Sequence, residues 1–385
     1  MSDDILIAGG GIAGLAVALG VAGIGRRARV FEQADGFHEF GAGLQLGPNA
    51  GRALQHLGIG AEIDEAAGYP EEVRIMDGMT GKTLNTVTLG KSFQKFYGAP
   101  YRVIHRGDLL RLLVNACKTQ KSVELNLSSP VKDLTVSNGA PALKVGAKTI
   151  KGAAIIGADG VRSTIRAKTL NDGGPEPAGH IIGRALLPGH IMPDPSPVVC
   201  LWLVPGGHVV HYPIRGGDDF NVVAAYDGEW TDEGWNSTAS KEEIEAPFEH
   251  STGKLRDILA TVREWHKWAG ADRRPASIWG EGPVTLIGDA AHGVLPYLAQ
   301  GAAMSLEDAC VLARELKSYA DPASAFRTYE AARAPRVKQL REKSRSLGSM
   351  YHAGGPLRLA RNLALRAMSE TAARSRLDWI YNWKP

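Results

Sequence analysis

Glycines near the start of the chain have the spacing that phosphate binding requires. Residues 9–14 read GGGIAG, so Gly9, Gly11 and Gly14 match the pattern G-x-G-x-x-G. The first glycine of this pattern permits a tight turn, the second lets a pyrophosphate approach the backbone, and the third lets a helix pack closely on a strand. Glu32 comes eighteen residues after Gly14, where a carboxylate can bind both hydroxyls of an adenosine ribose. These residues predict a site for an adenine dinucleotide.

Two further turns combine glycine with an acidic residue at the end of an apolar run. Residues 157–163 read GADGVRS and contain Asp159, and residues 288–292 read GDAAH and contain Asp289. One glycine loop alone does not distinguish NAD from FAD. The two additional turns are therefore the features that can distinguish a FAD site from an NAD site.

Apolar periodicity places all three turns on strands. An apolar run at 5–8, a helical repeat after the glycine loop and a second predicted strand at 29–32 indicate a βαβ unit with a parallel sheet. The apolar runs at 153–157 and 284–287 precede the other two turns. Both are predicted to be strands of that same sheet.

The rest of the chain divides into a middle segment and a helical end. Residues 180–275 are rich in Val, Ile, Tyr and Trp with alternating polarity, which predicts an antiparallel sheet on the substrate side. After residue 321 the chain reads as helices that are interrupted at Pro335 and at residues 354–356. The predicted fold class is α/β, with a parallel-sheet domain, an inserted mixed or antiparallel sheet and C-terminal helices. The predicted divisions are a cofactor domain at 1–75, 101–177 and 276–320, a substrate domain at 76–100 and 178–275, and a helical region at 321–385.

Composition narrows the class of protein. The chain has 385 residues, 44% of them hydrophobic, which is enough for a large core. No apolar run reaches the roughly 18 residues of a membrane span, and the acidic start is unlike a secretory leader, so a cytoplasmic protein is expected. Three widely spaced cysteines predict neither disulfides nor a metal site. The net charge of +3 gives no case for nucleic acid.

The C-terminal segment is basic. Residues 327–385 carry thirteen Lys and Arg against four Asp and Glu. Their leucines and aromatic residues supply too much apolar surface for a disordered tail, so a folded helical cap or a subunit contact is expected. Contact with anionic lipid or nucleic acid is the alternative.

The three glycine motifs, in this order, resemble those of the class A flavoprotein monooxygenases, the para-hydroxybenzoate hydroxylase-like family, over nearly the whole chain. The resemblance implies a Rossmann-like FAD domain of the glutathione reductase type and NADH or NADPH as a transient reductant. It also implies the reaction: hydride reduces FAD, O2 adds at flavin C4a, and an electron-rich ring attacks the terminal oxygen of the hydroperoxide. The implied partners are O2 and a small phenolic or hydroxypyridine-type aromatic, in a monomer or homodimer.

The resemblance assigns roles around the cofactor. Asp159 is expected to help hold the FAD pyrophosphate, and Asp289 the ribityl chain. The helix that begins near Gly301 and Ala302 is expected to point its N-terminus at the flavin pyrimidine ring, because a helix N-terminus stabilises the negative charge of reduced flavin.

An arginine motif adds one more cofactor contact. Residues 105–109 read HRGDL, similar to the family's H-R-x-x-L, so Arg106 is expected to contact FAD. An ion pair between Arg106 and Asp108 is the alternative. For Arg162 and Arg166 two alternatives stay open: a functional role, or an ordinary solvated position on a helix.

Three stretches resemble the salicylate, 3-hydroxybenzoate and 6-hydroxynicotinate hydroxylases. In these stretches Gln45 and Gln300 are expected to contact the substrate, and Pro296 to make the backbone beside the flavin rigid. Gln45 and Tyr297 stand where the 6-hydroxynicotinate enzyme has histidine, which disfavours that substrate. The stretches are residues 40–49, 208–213 and 295–301.

The candidate catalytic side chains lie mainly in one predicted strand. His208, His211 and Tyr212 are expected to line the pocket and to handle the phenolic proton, with Tyr297 as a further candidate and Pro296 beside them. Alternation puts His208 and Tyr212 on one face of the strand, while His211 points the other way unless a bulge intervenes.

Two other functions stay open at this point. Within enzymes, the chain is alternatively a quinone-precursor hydroxylase or another flavoprotein oxidoreductase of this fold, whereas a flavin halogenase lacks its W-x-W-x-I-P motif here. Outside enzymes, it is a FAD-bound scaffold without turnover.

The purified protein should be yellow and carry noncovalent FAD at about one per chain. Glu32→Ala and Asp289→Ala should each lower FAD retention, because each removes a carboxylate expected to bind cofactor hydroxyls. FAD released after gel filtration measures this, with Glu233→Ala as a matched control. Full occupancy in both variants would contradict the cofactor assignment.

Overall fold

A computed structural model describes residues 3–37 and 43–385. The strands, numbered in chain order, are β1 (Ile5–Ala8), β2 (Ala28–Phe31), β3 (Gly43–Leu46), β4 (Glu72–Asp77), β5 (Thr83–Thr88), β6 (Arg102–His105), β7 (Val123–Asn126), β8 (Val131–Ser137), β9 (Ala140–Val145), β10 (Lys148–Lys151), β11 (Ala154–Gly157), β12 (Glu176–Pro188), β13 (Val199–Val204), β14 (Gly207–Ile214), β15 (Asp219–Asp227), β16 (Asn236–Ala239), β17 (Trp265–Asp272) and β18 (Val284–Leu286). The α-helices are α1 (Ile12–Gly23), α2 (Pro48–His56), α3 (Gly60–Ala66), α4 (Lys91–Tyr97), α5 (Arg106–Thr119), α6 (Thr164–Thr169), α7 (Lys241–Glu245), α8 (Gly253–Thr261), α9 (Asp289–His292), α10 (Gly301–Ser318), α11 (Pro322–Tyr351), α12 (Gly355–Ala367), α13 (Glu370–Ser375) and α14 (Asp378–Tyr381).

A five-stranded parallel sheet carries the three glycine turns. Its strand order is β18-β11-β1-β2-β7, and each neighbouring pair is parallel. All four residues of β1 are fully buried, as expected for a strand covered by helices on both faces. Helices α1 and α10 pack against each other beside it. The prediction that the runs before Asp159 and Asp289 join this sheet is confirmed.

The middle of the chain forms a larger mixed sheet. Its order is β16-β17-β12-β15-β14-β13-β4-β5, in which β13 and β4 are parallel and the other pairs antiparallel. Strands β4 and β5 come from residues 72–88, so the border predicted between residues 75 and 76 falls inside β4. The predicted α/β class with an inserted mixed sheet is confirmed.

Two small sheets complete the described strands. Strands β10, β9 and β8 form an antiparallel sheet, and β3 pairs with β6. In the β3–β6 pair, Gln45 lies opposite Val103. Strand β3 also contacts the larger sheet, because the Gly43 amide donates to Asn221 Oδ1 of β15 at 2.6 Å.

The predicted helix break at Pro335 is wrong. Helix α11 runs for 30 residues from Pro322 to Tyr351 with Pro335 inside it. A proline in a helix interior removes one backbone hydrogen bond and costs about 3 kcal/mol. Burial of Tyr329, Val337 and Leu340 on both sides of the proline offsets this cost. The predicted break at 354–356 is confirmed, because α12 begins at Gly355.

The C-terminal segment is folded, as the sequence predicts. Leu365, Ile380 and Tyr381 are buried, while Leu357 and Leu363 are more than two-thirds exposed. The segment therefore covers part of the core and also presents an apolar stripe to solvent. Within residues 3–37 and 43–385, no helix combines the length and apolar character needed to cross a bilayer.

A buried ion cluster fixes α11 to α10. The Arg333 guanidinium donates to Glu307 Oε2 at 2.7 Å and to Asp308 Oδ1 at 2.6 Å, and all three residues are at most 1% exposed. Arg336 adds a second bond to Glu307 at 2.7 Å. The Asp308 carboxyl is desolvated, but His292 and Arg333 hold its pKa down, from 3.8 to about 2.

Arg333→Ala should lower the free energy of unfolding by about 3–5 kcal/mol, because removal of one partner leaves buried charge uncompensated. Chemical denaturation of the FAD-loaded protein measures this, with the exposed Arg366→Ala expected within about 0.5 kcal/mol of wild type. The folded-state pKa of Asp308 is below its unfolded value, so its contribution is complete above about pH 4 and is lost as pH falls towards 2. An Arg333→Ala variant as stable as Arg366→Ala would contradict this role.

Candidate active site

A deep cleft opens where the parallel sheet meets the larger sheet. Its floor is formed after the carboxyl ends of β1, β11 and β18, by Gly11, Gly160 and Asp289 among others. Its opposite wall is one face of β12, β14 and β15. The cleft, which opens to solvent, has a volume of about 270 Å³. Ligands of open α/β sheets bind at this end of the strands.

The glycine loop is shaped to admit a ligand. Gly9 has a φ of +103°, and a Cβ there would lie 2.4 Å from the Ala158 carbonyl oxygen. A Cβ on Gly14 would lie 2.0 Å from the Gly9 carbonyl oxygen, so helix and strand pack without room for a side chain. At Gly11 the same position is open, with no atom of residues 3–37 and 43–385 within 4 Å beyond its immediate chain neighbours. The open position borders the cleft, where the sequence placed a pyrophosphate.

Glu32 lies directly after β2 and is held against this loop. Its Oε2 accepts from the Gly10 amide at 2.7 Å, and its Oε1 accepts from the Ala34 amide at 2.9 Å. Both oxygens can accept further bonds from hydroxyls. The carboxylate therefore stands at the end of the glycine loop, as an adenosine ribose requires.

Asp159 has a structural role in this arrangement. Its carboxylate accepts from the Ser163 hydroxyl at 2.5 Å and from the Ile165 amide at 3.1 Å, which fixes the start of α6. Burial raises the pKa of this carboxyl despite these bonds. Its neighbours Ala158 and Gly160 border the cleft.

Of the arginines in the predicted motifs, Arg106 borders the cleft and Arg166 is buried in the core. Arg106 borders the cleft, whereas Asp108 bonds to Arg215 at 2.9 Å. Arg166 is not the solvated residue that the sequence allowed. It is 1% exposed, and its guanidinium donates to the Ala290 carbonyl at 3.1 Å, which ties α6 to the turn after β18.

The start of α10 also faces the cleft. Gly301 and Ala302 border it, together with Asp289 and Pro296. A helix of 18 residues presents backbone N–H groups and a partial positive charge at this end. His292 is turned away, because its Nε2 bonds to Asp308 Oδ2 at 2.5 Å.

The cleft-facing wall of the large sheet follows the strand register. In β14, His208 and Tyr212 border the cleft, and Val210 lies between them. Their partners on β15 are Ala225, Asn221 and Val223, without a bulge. The prediction that His208 and Tyr212 share a face is therefore confirmed.

His211 lies on the opposite face of the sheet. Its Nε2 accepts from the Trp202 indole N–H at 3.0 Å, and it is 1% exposed. Burial lowers its pKa to about 4. The expectation that His211 lines the pocket is corrected by this packing, and its catalytic role is dropped.

Of the two predicted substrate-binding glutamines, one borders the cleft and the other does not. Gln45 borders the cleft, and its Oε1 accepts from the Tyr101 hydroxyl at 2.7 Å. Gln300 is buried, its Oε1 accepts from Asn49 Nδ2 at 2.8 Å, and it is not among the residues that border the cleft. Within the resembling stretch at 40–49, residues 40–42 lie outside the described residues.

Tyr297 does not border the cleft but packs behind the residues that do. Its hydroxyl lies 2.5 Å from His180 Nδ1, and burial raises its pKa. Its ring centroid is 5.2 Å from that of His208. Tyr297 can therefore act on the cleft only through His208 or its neighbours.

A histidine cluster lies next to Tyr297. Nitrogen atoms of His180 and His352 and an oxygen of Asp227 lie within 4.8 Å of one another. The separation of 2.5 Å between His352 Nδ1 and Asp227 Oδ1 is a hydrogen-bond distance. Sequence reasoning did not identify these three residues, because they are 47 or more positions apart and fall in no motif.

Two arginines line the cleft. Arg106 and Arg184 line it, against the single lining carboxylate of Asp289 among the described residues. Arg184 also lies over the Trp268 ring, 5.2 Å from its centroid. Sequence reasoning missed Arg184, although its position in a strand opposite Val223 places it on the same face as Val210.

The chain matches a family model and several known proteins. Residues 2–344 match the family described as FAD binding domain. The chain is 37% identical over 385 residues to 3-hydroxybenzoate 6-hydroxylase 1 of Aquipseudomonas alcaligenes, which covers 99% of this chain and 98% of the relative. It is 36% identical to 3-hydroxybenzoate 6-hydroxylase of Klebsiella oxytoca, at 98% and 96% coverage. A solved salicylate hydroxylase substrate complex has the same fold, with a TM-score of 0.83, 24% identity and coverage of 100% and 96%.

These matches extend over essentially the whole chain, and the glycine turns that carry the resemblance border one cleft. The chain belongs to the FAD-binding domain family and, within it, to the group A flavoprotein aromatic hydroxylases.

Proposed function

We propose that this enzyme hydroxylates a small phenolic aromatic acid with O2 and NAD(P)H, and that His208 removes the phenolic proton. The observation that carries the proposal is the shared cleft. The same cleft is bordered by the glycine loop at Gly11, by the start of α10 at Gly301, and by His208 and Tyr212 on the opposite wall. A cofactor and a small ring can therefore meet in one enclosed space.

The residues on the floor of the cleft fit FAD. Gly11 would supply the open backbone position for the pyrophosphate and Asp289 a carboxylate for the ribityl hydroxyls, and Glu32, at the end of the glycine loop, would accept from the ribose. Bound FAD supplies the redox chemistry and the activation of O2. The N-terminus of α10 would stabilise negative charge on the ring system.

His208 has the geometry and the protonation state of a base. Its Nδ1 is engaged with His352, which leaves Nε2 as the ring nitrogen that can meet a phenol in the cleft. Burial, and then the neighbouring His352 and His180, hold the pKa of His208 well below its usual value, so the ring is neutral near pH 7. Neutral imidazole accepts a proton, whereas imidazolium cannot.

Tyr212 and Arg184 supply position and charge. The Tyr212 hydroxyl is a donor whose pKa is raised by burial, so it can hold a phenolate oxygen by a hydrogen bond without losing its own proton. Arg184 can bind a carboxylate in two parallel hydrogen bonds. A ring that carries both a phenol and a carboxylate matches this wall, and the relatives' names, which specify a hydroxybenzoate, agree with it.

The rival readings make different demands on the cleft. A hydroxypyridine without a carboxylate would leave Arg184 without an anionic partner from the substrate. A scaffold without turnover needs no base in the cleft, whereas His208 is placed there by an uninterrupted strand register. Both rivals are therefore weaker than hydroxylation of an aromatic acid.

A panel of hydroxybenzoates and hydroxypyridines tests the function directly. At least one hydroxybenzoate should stimulate NAD(P)H oxidation and give a product heavier by one oxygen in mass spectrometry. If no member stimulates oxidation, the FAD-bound scaffold becomes the better explanation. If only hydroxypyridines without a carboxylate do so, the match between Arg184 and a substrate carboxylate is contradicted.

His208→Ala should lower coupled hydroxylation by about 10²-fold or more near pH 7, because a positioned base contributes roughly 10²–10⁴-fold. Rate should partly recover between pH 7 and 9, since a free phenol ionises unaided near pH 10. Tyr212→Phe should also lower coupling, and both variants should retain FAD. His211→Ala, on the opposite face, is the matched control. A His208→Ala rate equal to wild type from pH 6 to 9 would remove the base assignment.

Arg184→Met should raise the KM for a hydroxybenzoate by about 10–100-fold, because a hydrogen bond to a charged group contributes about 1.5–3 kcal/mol. A neutral phenol should be affected much less, since it lacks the carboxylate. Arg256→Met, on the exposed face of α8, serves as the control. An equal rise of KM for acid and neutral phenol would mean that Arg184 shapes the wall without binding the carboxylate.

A further inference from the structure

A row of hydrogen bonds connects the cleft to the protein surface. His208 Nδ1 lies 2.9 Å from His352 Nε2, and His352 Nδ1 lies 2.5 Å from Asp227 Oδ1. His208 and His352 are 4% and 7% exposed, whereas the Asp227 side chain is 55% exposed. Two imidazole rings and one carboxylate therefore bridge the distance between a buried cavity and bulk water.

We propose that His352 and Asp227 form a proton relay, which carries the phenolic proton from His208 to solvent. The inference rests on the proposed function and extends it to residues outside the cleft. Imidazole suits such a path because it can accept a proton on one nitrogen while it releases another from the opposite nitrogen. A side-chain amide at the same place cannot make this exchange between two fixed neighbours, because its NH2 group does not ionise.

The exchange conserves protons at each atom. The phenol O–H bond breaks as a bond forms to His208 Nε2, and the proton on His208 Nδ1 passes to His352 Nε2. The proton on His352 Nδ1 passes to Asp227 Oδ1 and then to water, because the Asp227 side chain is 55% exposed and in contact with solvent. Reprotonation of the product along the same path in reverse restores the starting tautomers of both rings.

The surroundings of His208 make an exit path necessary. Burial and the neighbouring His352 and His180 hold its pKa well below the usual value. A ring that is strongly disfavoured as imidazolium cannot store the phenolic proton during oxygen transfer. Release through His352 removes the charge from the low-dielectric cavity and places it next to a solvated carboxylate.

The backbone holds the relay in register. His352 caps the C-terminus of α11, and its carbonyl accepts from the Gly206 amide at 2.9 Å. The Asp227 amide donates to the Gly206 carbonyl at 2.8 Å. One residue in the turn before β14 therefore fixes both outer members of the relay relative to His208.

Other charged groups border the relay without continuing it. His180 Nε2 lies 3.4 Å from Asp227 Oδ1, and its Nδ1 meets the Tyr297 hydroxyl. Burial raises the pKa of Tyr297, so this branch ends at a group that keeps its proton. The titratable and charged groups that face the relay are His180 from β12, Asp227 from β15, Tyr297 before α10, and Arg345, Tyr351 and His352 from α11 and its end.

Stopped-flow proton release from the oxidised FAD-loaded enzyme tests the relay, with 3-hydroxybenzoate as the probe and a pH dye in weak buffer. Asp227→Asn and His352→Gln should slow release by about 10²-fold, the low end of proton-transfer contributions, while probe binding, followed by flavin absorbance, stays near wild type. Asp227→Glu should restore the rate, since it keeps the carboxylate. Asp257→Asn, an exposed carboxylate of α8, should match wild type.

Unchanged release in both Asp227→Asn and His352→Gln would overturn the relay. Failure of the wild type to bind 3-hydroxybenzoate would instead exclude this compound as a ligand, and nitrogen-15 NMR of the histidines then decides the relay without a substrate. In the wild type, His352 should carry its proton on Nδ1 with a strongly low-field resonance that is lost in Asp227→Asn. A His352 whose Nδ1 is unprotonated in the wild type would rule the relay out.

Discussion

The buried contact of Arg333 with Glu307 and Asp308 is the interaction on which the site depends most. Asp308 also accepts from the Gly288 amide at 3.1 Å and bonds to His292, so it fixes the turn that presents Asp289. Glu307 accepts from Asn49 Nδ2 at 2.7 Å, which ties α2 to the same cluster. A desolvated cluster of this kind holds its elements in one geometry, because loss of any member leaves charge buried without a partner. The start of α10 is thereby fixed at the cleft.

The large sheet contributes a second constraint, since its two faces serve different purposes. One face of β14 and β15 is packed into the core through Trp202, His211 and Val222, and this packing leaves the strands no freedom to slip. A shift of the β14 register by one residue would move His208 into the core and place Val209 at the cleft. The rigid, apolar side of the sheet therefore defines which polar groups reach the cleft on the other side.

Sequence alone predicted the parts of the site that depend on local pattern. The glycine turns follow apolar strands, and alternation separates His208 and Tyr212 from His211, so their placement could be read without tertiary information. Arg333, His180, Asp227 and His352 could not be found, because each acquires its role from a partner far away in the chain. Pro335 and Gln300 were misjudged for the same reason: packing around α11 overrides the helix-breaking tendency of proline, and Asn49 captures the glutamine amide.

Helix α11 contains Arg333 near its middle and ends at Tyr351, directly before His352. One helix therefore carries both the ion pairs that fix α10 and, at its end, the residue beside His208. Substitutions in the last turn of this helix can alter the environment of the base while the ion pairs of Arg333 are retained. Exchange of this last turn between related enzymes would therefore change the acidity of a bound phenol without changing the residues that hold FAD.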